Sequence, residues 1–125
     1  MILGTTLKFE AAHHLPNYDG PCKRVHGHSY KLEVRVQGPV AIGSGMVIDL
    51  HDLKQIIRGK ILSKVDHTDL NKQWKNPTAE NMLMSFVTWL RDDLLLKVSA
   101  RVILHSVKLW ETEGCFAEWR SNASA

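Results

Sequence analysis

With 125 residues, 44% of them hydrophobic and 23% charged, the chain has the size of one domain and the composition of a folded globular protein, which excludes a disordered or fibrous one. Its net charge of +3 comes from sixteen basic residues scattered among thirteen acidic ones; this excludes a nucleic-acid-gripping stripe but suits a small polyanion. Two cysteines are too few for a disulfide framework, no apolar run approaches the about 18 residues of a membrane span, and no leader pattern opens the chain, so a cytoplasmic protein with reduced thiols is expected.

Residues 2–14 mix threonines with apolar residues and are predicted as a strand, with Phe9, Ala11 and His13 on one face and Glu10, Ala12 and His14 on the other. Asn17, Asp19, Gly20 and Pro21 predict a loop ending at Cys22. From His28, the segment HSYKLEVRVQG alternates cleanly, Tyr30, Leu32, Val34 and Val36 against Lys31, Glu33, Arg35 and Gln37, which predicts a strand with one buried face. After a stretch rich in glycine, the apolar run of residues 46–48 is expected to pair back against that strand.

Asp49 can cap a helix in which Leu50, Leu53, Ile56, Ile57, Ile61 and Leu62 recur at helical spacing. Beyond a polar loop over residues 66–77, Thr78 can cap a second helix, with Glu80 in its first turn and a stripe of Met82, Leu83, Phe86, Val87 and Leu90. Residues 101–111 are rich in β-branched and aromatic side chains and predict a strand, which Glu113-Gly114 turns into a last one, CFAEWR. The order ββααββ predicts an α+β domain over residues 1–120, a four-stranded antiparallel sheet with both helices on one face, followed by a flexible tail at 121–125. The uncovered edges of such a sheet need protection, which pairing between subunits would supply.

His26 and His28, in the segment CKRVHGH, are one residue apart in extended chain, so both imidazoles project to the same side and can reach one cation. Two ordinary hydrogen-bonding histidines would give the same spacing. A third imidazole must come from elsewhere, and of His13 and His14 only one can join, because strand neighbours face opposite ways. Three neutral imidazoles suit Zn²⁺ and leave a coordination position open, as catalytic sites do. Cys22 admits two roles: a fourth ligand closing a structural site, or a free thiol beside the metal whose lowered pKa makes it a base. Asp66 can orient His67 for proton transfer, or simply end a helix beside a solvent-facing ring. Glu111, on spacing alone, reads as a solvated hairpin acid.

Six segments in order carry more weight together: FEAAH around His13, C-x₃-HGH from Cys22, MVIDLHDLK from Met46, DHTDLN from Asp66, NPTAEN from Asn76 and VKLWETE around Glu111. Over nearly the whole chain they resemble the pterin synthase family that includes 6-pyruvoyltetrahydropterin synthase and 6-carboxy-5,6,7,8-tetrahydropterin synthase. The resemblance implies zinc on His13, His26 and His28, a catalytic group of Cys22, Asp66 and His67, and a pterin ring anchored by Glu111. It also implies the tunnelling fold, in which ββααββ units form homotrimers or hexamers whose sheets join into a barrel, with sites at subunit boundaries. His14 stands where the family more often has arginine and is not taken as a ligand.

The three residues between Cys22 and HGH resemble the bacterial 6-carboxy enzyme of queuosine biosynthesis, whereas animal 6-pyruvoyl enzymes usually carry a longer insertion. The implied reaction turns 7,8-dihydroneopterin triphosphate into 6-carboxytetrahydropterin, acetaldehyde and triphosphate. Triphosphate elimination without side-chain cleavage, the 6-pyruvoyl reaction, is the nearest alternative. A metal-free Cys-His hydrolase and a non-catalytic zinc-stabilised binding module are the readings from other classes.

Overall fold

A computed structural model describes residues 1–97 and 101–122 of the chain. Two long strands, β1 (Ile2–His13) and β2 (His26–Gln37), pair antiparallel from Ile2↔Gln37 to His13↔His26. Their phases agree: Phe9 lies opposite Tyr30, Ala11 opposite His28, and His13 opposite His26. Because side chains alternate with period two, a one-residue slip would turn every one of these to the other surface. The apolar alternation that fixes the core thus also fixes the face on which the histidines emerge.

Helix α1 (Leu50–Ile57) starts on its predicted cap, Asp49 Oδ1 accepting the His51 N–H at 2.8 Å. It runs on through a π-helical turn (Arg58–Leu62) and a short last turn (Ser63–Val65), so that Leu53, Ile57, Ile61 and Val65 are all fully buried. A short strand follows, β3 (Thr68–Asp69). Helix α2 (Ala79–Lys97) opens at Thr78, whose Oγ1 accepts the Asn81 N–H at 3.1 Å, and buries Met82, Phe86 and Leu90. Strands β4 (Ile103–Thr112) and β5 (Cys115–Arg120) complete a sheet of order β3-β1-β2-β4-β5. Both helices pack on the face carrying Tyr30, Leu32, Val34 and Val36, forming one apolar core in which Phe9 stacks on Tyr30 at 4.8 Å.

The sheet is five-stranded and mixed where four antiparallel strands are predicted, since β3 runs parallel to β1 at Ala11 and Ala12. One turn accounts for the addition. His67 adopts left-handed backbone (φ 59) and donates its N–H to the Glu10 carbonyl at 2.6 Å, while the Glu10 N–H reaches Asp66 Oδ1 at 3.0 Å. These bonds draw a polar segment with no strand-like alternation onto the free edge of β1.

A second expectation is corrected. Residues 46–48 do not pair with β2, whose two edges are already taken by β1 and β4. They follow a turn in which Gly45, at φ 70, donates to the Ala41 carbonyl at 2.9 Å and Ala41 donates to that of Met46 at 2.9 Å. At the other end, Ser121 donates to the His105 carbonyl at 2.9 Å and so continues the β5 side of the sheet, while residues 123–125 of the expected tail lie outside the described residues. No helix among the described residues is long and apolar enough to cross a membrane.

Candidate metal centre and active site

The end of β1, the start of β2 and the inward phase of β4 meet at one corner of the helix-covered face. His13 closes β1 there, fully buried, with its Nε2 3.1 Å from His26 Nε2. Glu111 follows Val107 and Leu109 in phase, which brings its Oε1 to 3.1 Å from His28 Nε2 and 3.5 Å from His13 Nε2. One ligand atom from each of His13, His26, His28 and Glu111 lies within 4.8 Å of all the others.

Two backbone carbonyls decide what these rings present. His13 Nδ1 lies 2.8 Å from the Pro77 carbonyl and His26 Nδ1 lies 2.7 Å from that of Arg24. A carbonyl only accepts, so both Nδ1 atoms carry the proton and both Nε2 atoms, in neutral rings, present lone pairs. Two lone pairs 3.1 Å apart, one on a buried ring and one on a half-buried ring, repel unless a cation sits between them. His28 Nε2 is buried without a well-directed hydrogen bond despite its approach to Glu111, which leaves a third ring nitrogen of the group unsatisfied, worth about 1–3 kcal/mol of lost solvation.

The titration behaviour follows. Burial works against a charged His13, but the hydrogen bond and charge of Glu111 and the Pro77 carbonyl outweigh it and hold its pKa above the ordinary value. Burial lowers His28 despite the attraction of Glu111. The hydrogen bond from His13, helped by the charges of the histidines, keeps Glu111 below the usual carboxylate range against the cost of its burial. Burial, and secondarily the Glu111 charge, pushes the Tyr30 hydroxyl far up, so it stays neutral. A proton on His13 can therefore balance Glu111, and a divalent cation can take that proton's place. The spacing suits this: tetrahedral zinc with Zn–N of about 2.0–2.1 Å separates ligand atoms by roughly 3.3 Å.

His14 points away from this group, as strand alternation demands; its N–H donates to Asn71 Oδ1 at 2.9 Å. Asp66 and His67 do approach each other, Nδ1 to Oδ1 at 3.0 Å, with the His67 ring largely exposed. A hollow of about 530 Å³ is lined by both His67 and His28, and a cleft of about 640 Å³ on the other side of His28 is lined by Tyr30, Trp110 and Glu111. Cys22 sits, half-buried and unpaired, in a single 3₁₀ turn (Pro21–Lys23). It lies outside the converging group, whose fourth member is Glu111, and among the described residues no hydrogen bond joins it to Asp66 or His67.

The carbonyls of Arg24 and Pro77 are functional groups that sequence reasoning missed. A backbone acceptor leaves no residue-type signal; only the NPTAEN segment hinted that the loop before α2 mattered.

Residues 3–122 match the family described as "6-pyruvoyl tetrahydropterin synthase". The chain is 31% identical over 137 residues to a 6-carboxy-5,6,7,8-tetrahydropterin synthase of Haemophilus influenzae, with 90% of this chain and 93% of that one covered. It is 33% identical over 113 residues to a dihydroneopterin monophosphate aldolase of Pyrococcus furiosus, covering 89% and 91%. The solved 6-pyruvoyl tetrahydropterin synthase of Caenorhabditis elegans superposes with a TM-score of 0.82 at 27% identity, over 98% of this chain and 96% of that one.

Proposed function

We propose, from the premise that this chain belongs to the 6-pyruvoyl tetrahydropterin synthase family, that it is a zinc-dependent lyase converting 7,8-dihydroneopterin triphosphate to 6-carboxytetrahydropterin, acetaldehyde and triphosphate. The observation that carries the metal part is the pair of Nε2 atoms 3.1 Å apart whose Nδ1 atoms are both committed to carbonyls. The Cys22-to-HGH spacing and the Haemophilus influenzae relative support the 6-carboxy product.

In this reading His13, His26 and His28 hold Zn²⁺, which when bound supplies Lewis-acid polarisation of the substrate's side-chain oxygens. Cys22, as general base, takes the proton from the activated side-chain carbon. His67, its ring fixed by Asp66, carries protons to and from the exposed hollow it shares with His28. Glu111, whose Oε1 lies against His13 and His28, also lines the cleft beside Trp110 and Tyr30, where its carboxylate would accept hydrogen bonds from the pterin's amino and ring N–H groups. The reading includes a cytoplasmic homo-oligomer, trimer or hexamer, whose subunit contacts would bring together Cys22 with Asp66 and His67, which no hydrogen bond joins among the described residues.

Incubating the zinc-loaded chain with 7,8-dihydroneopterin triphosphate and weighing the products tests this. Release of acetaldehyde with 6-carboxytetrahydropterin is expected. A 6-pyruvoyl product would assign instead the activity named for the Caenorhabditis elegans neighbour; turnover of the monophosphate alone would assign that named for the Pyrococcus furiosus relative. No conversion of either substrate would overturn the proposal.

A further inference from the structure

The NPTAEN segment contributes no side chain to the reaction outlined above, yet it touches the metal centre through its backbone. The Pro77 carbonyl fixes the proton on His13 Nδ1 and thereby aims the Nε2 lone pair into the cluster. Pro77 is buried, and because a proline has no N–H the preceding Asn76–Pro77 peptide can be held only through its carbonyl. What holds it is a small clamp around Asn76. The Asn81 side-chain amide donates to the Asn76 carbonyl at 2.9 Å, and the Thr78 N–H donates to the same oxygen at 2.9 Å. With that oxygen doubly occupied and turned back toward α2, the next carbonyl along, that of Pro77, faces His13.

His26 needs no such device. Its carbonyl partner, Arg24, is two residues away on the same short segment, whereas Pro77 lies 64 residues from His13 and belongs to a different element. The pose of His13 therefore depends on how firmly the loop before α2 is held.

We infer that Asn81 is a positioning residue for the metal centre: through Asn76 and Pro77 it sets the orientation and tautomer of His13 and hence the affinity for the ion. The inference rests on the metal reading of the histidine group but not on the identity of the pterin substrate. Partners that orient a metal-bound histidine change affinity by about 10–100-fold when removed. Asn81 acts one step further out and is exposed, so its loss should cost affinity near the lower end of that range without unfolding the chain.

The test compares full-length wild type with Asn81→Ala, Asn81→Asp and Thr78→Ala. Asn81→Asp keeps the shape but loses the donor to Asn76. Thr78→Ala removes the α2 cap, a generic destabilisation that leaves the clamp intact. Zinc affinity is measured by competition with a chelator, the ligand field by the visible absorption of the Co²⁺-loaded protein, and folding by the melting temperature of the metal-free chain. The expected result is zinc binding about tenfold weaker in both Asn81 variants, with an altered Co²⁺ spectrum and a near-wild-type metal-free melting temperature. Thr78→Ala should melt lower yet bind zinc within about twofold of wild type, since the contacts that orient His13 survive in it. Wild-type affinity and spectrum in the Asn81 variants, or an affinity loss that tracks melting temperature across all three, would overturn the inference and leave the metal reading standing. A wild-type chain that binds neither ion would overturn both.

Discussion

The histidine centre and the Asp66–His67 turn border the same hollow and are built in opposite ways. The centre draws four side chains from three strands, with His13 fully buried, and its geometry is set by the register of the sheet. The turn is two adjacent residues with an ion-pair contact of 3.0 Å, a His67 side chain 79% exposed, and hydrogen bonds to the backbone of Glu10 and Leu62. A preformed, largely shielded group of ligand atoms is suited to holding a cation tightly. An oriented but exposed imidazole is suited to exchanging protons with something that arrives from outside, whether substrate or a neighbouring subunit. The two halves of the proposed chemistry should thus fail independently.

The largest effect should come from breaking the centre. His26→Ala with His28→Ala leaves one imidazole and a carboxylate, and zinc content should fall from one per chain to near none by elemental analysis, while the Asp66–His67 contact persists. Full occupancy in the double variant would exclude the assignment.

Next in size, Cys22→Ala should lower turnover by about 10²–10⁴-fold while zinc content and melting temperature hold, because Cys22 stands outside the converging group. Loss of zinc together with stability would make Cys22 a ligand and dissolve the contrast between the two regions.

A smaller effect concerns pH in the metal-free chain. His13, raised above its ordinary 6.5, contributes stability that is present below that value and lost as pH rises through its folded pKa. Glu111, lowered from 4.5, contributes stability present above that value and lost as pH falls through its folded pKa. His28, held low by burial, loses its own contribution as pH falls below 6.5. The melting-temperature gap between wild type and Glu111→Gln isolates the pairing with the carboxylate and should be widest between the ordinary values of 4.5 and 6.5. Zinc affinity should run the other way, rising with pH as His13 sheds its proton. A gap that is flat with pH would mean that the carboxylate and the histidines do not pair.

The smallest expected effect is at the turn. His67 holds a left-handed backbone conformation, which costs an L-residue about 1–2 kcal/mol and glycine little. On stability, His67→Gly should therefore have only a small effect, keeping or slightly raising the melting temperature. A clear fall in stability would show that the exposed ring carries packing weight.

Much of the frame was legible in the sequence. The alternation in β1 separated His13 from His14, the one-residue spacing put His26 and His28 on one side, and Asp49 and Thr78 cap the helices they were expected to cap. Glu111 was less legible. Its position before a turn suggested solvent, but the inward phase it inherits from Val107 and Leu109 carries it to the histidines. The short strand β3 and the unpaired run at 46–48 were misjudged because each depends on which strand edges remain free.

By itself, then, the sequence determined which face each strand side chain takes and where each helix begins, since alternation and capping are fixed by covalent geometry within a few residues. Only the tertiary structure decided that His13 lies against His26, that Glu111 closes the group, that Pro77 orients a ring 64 residues away, and that Cys22 lies outside the converging group. Those choices depend on register, edge occupancy and loop packing, which only the assembled sheet and its covering helices settle.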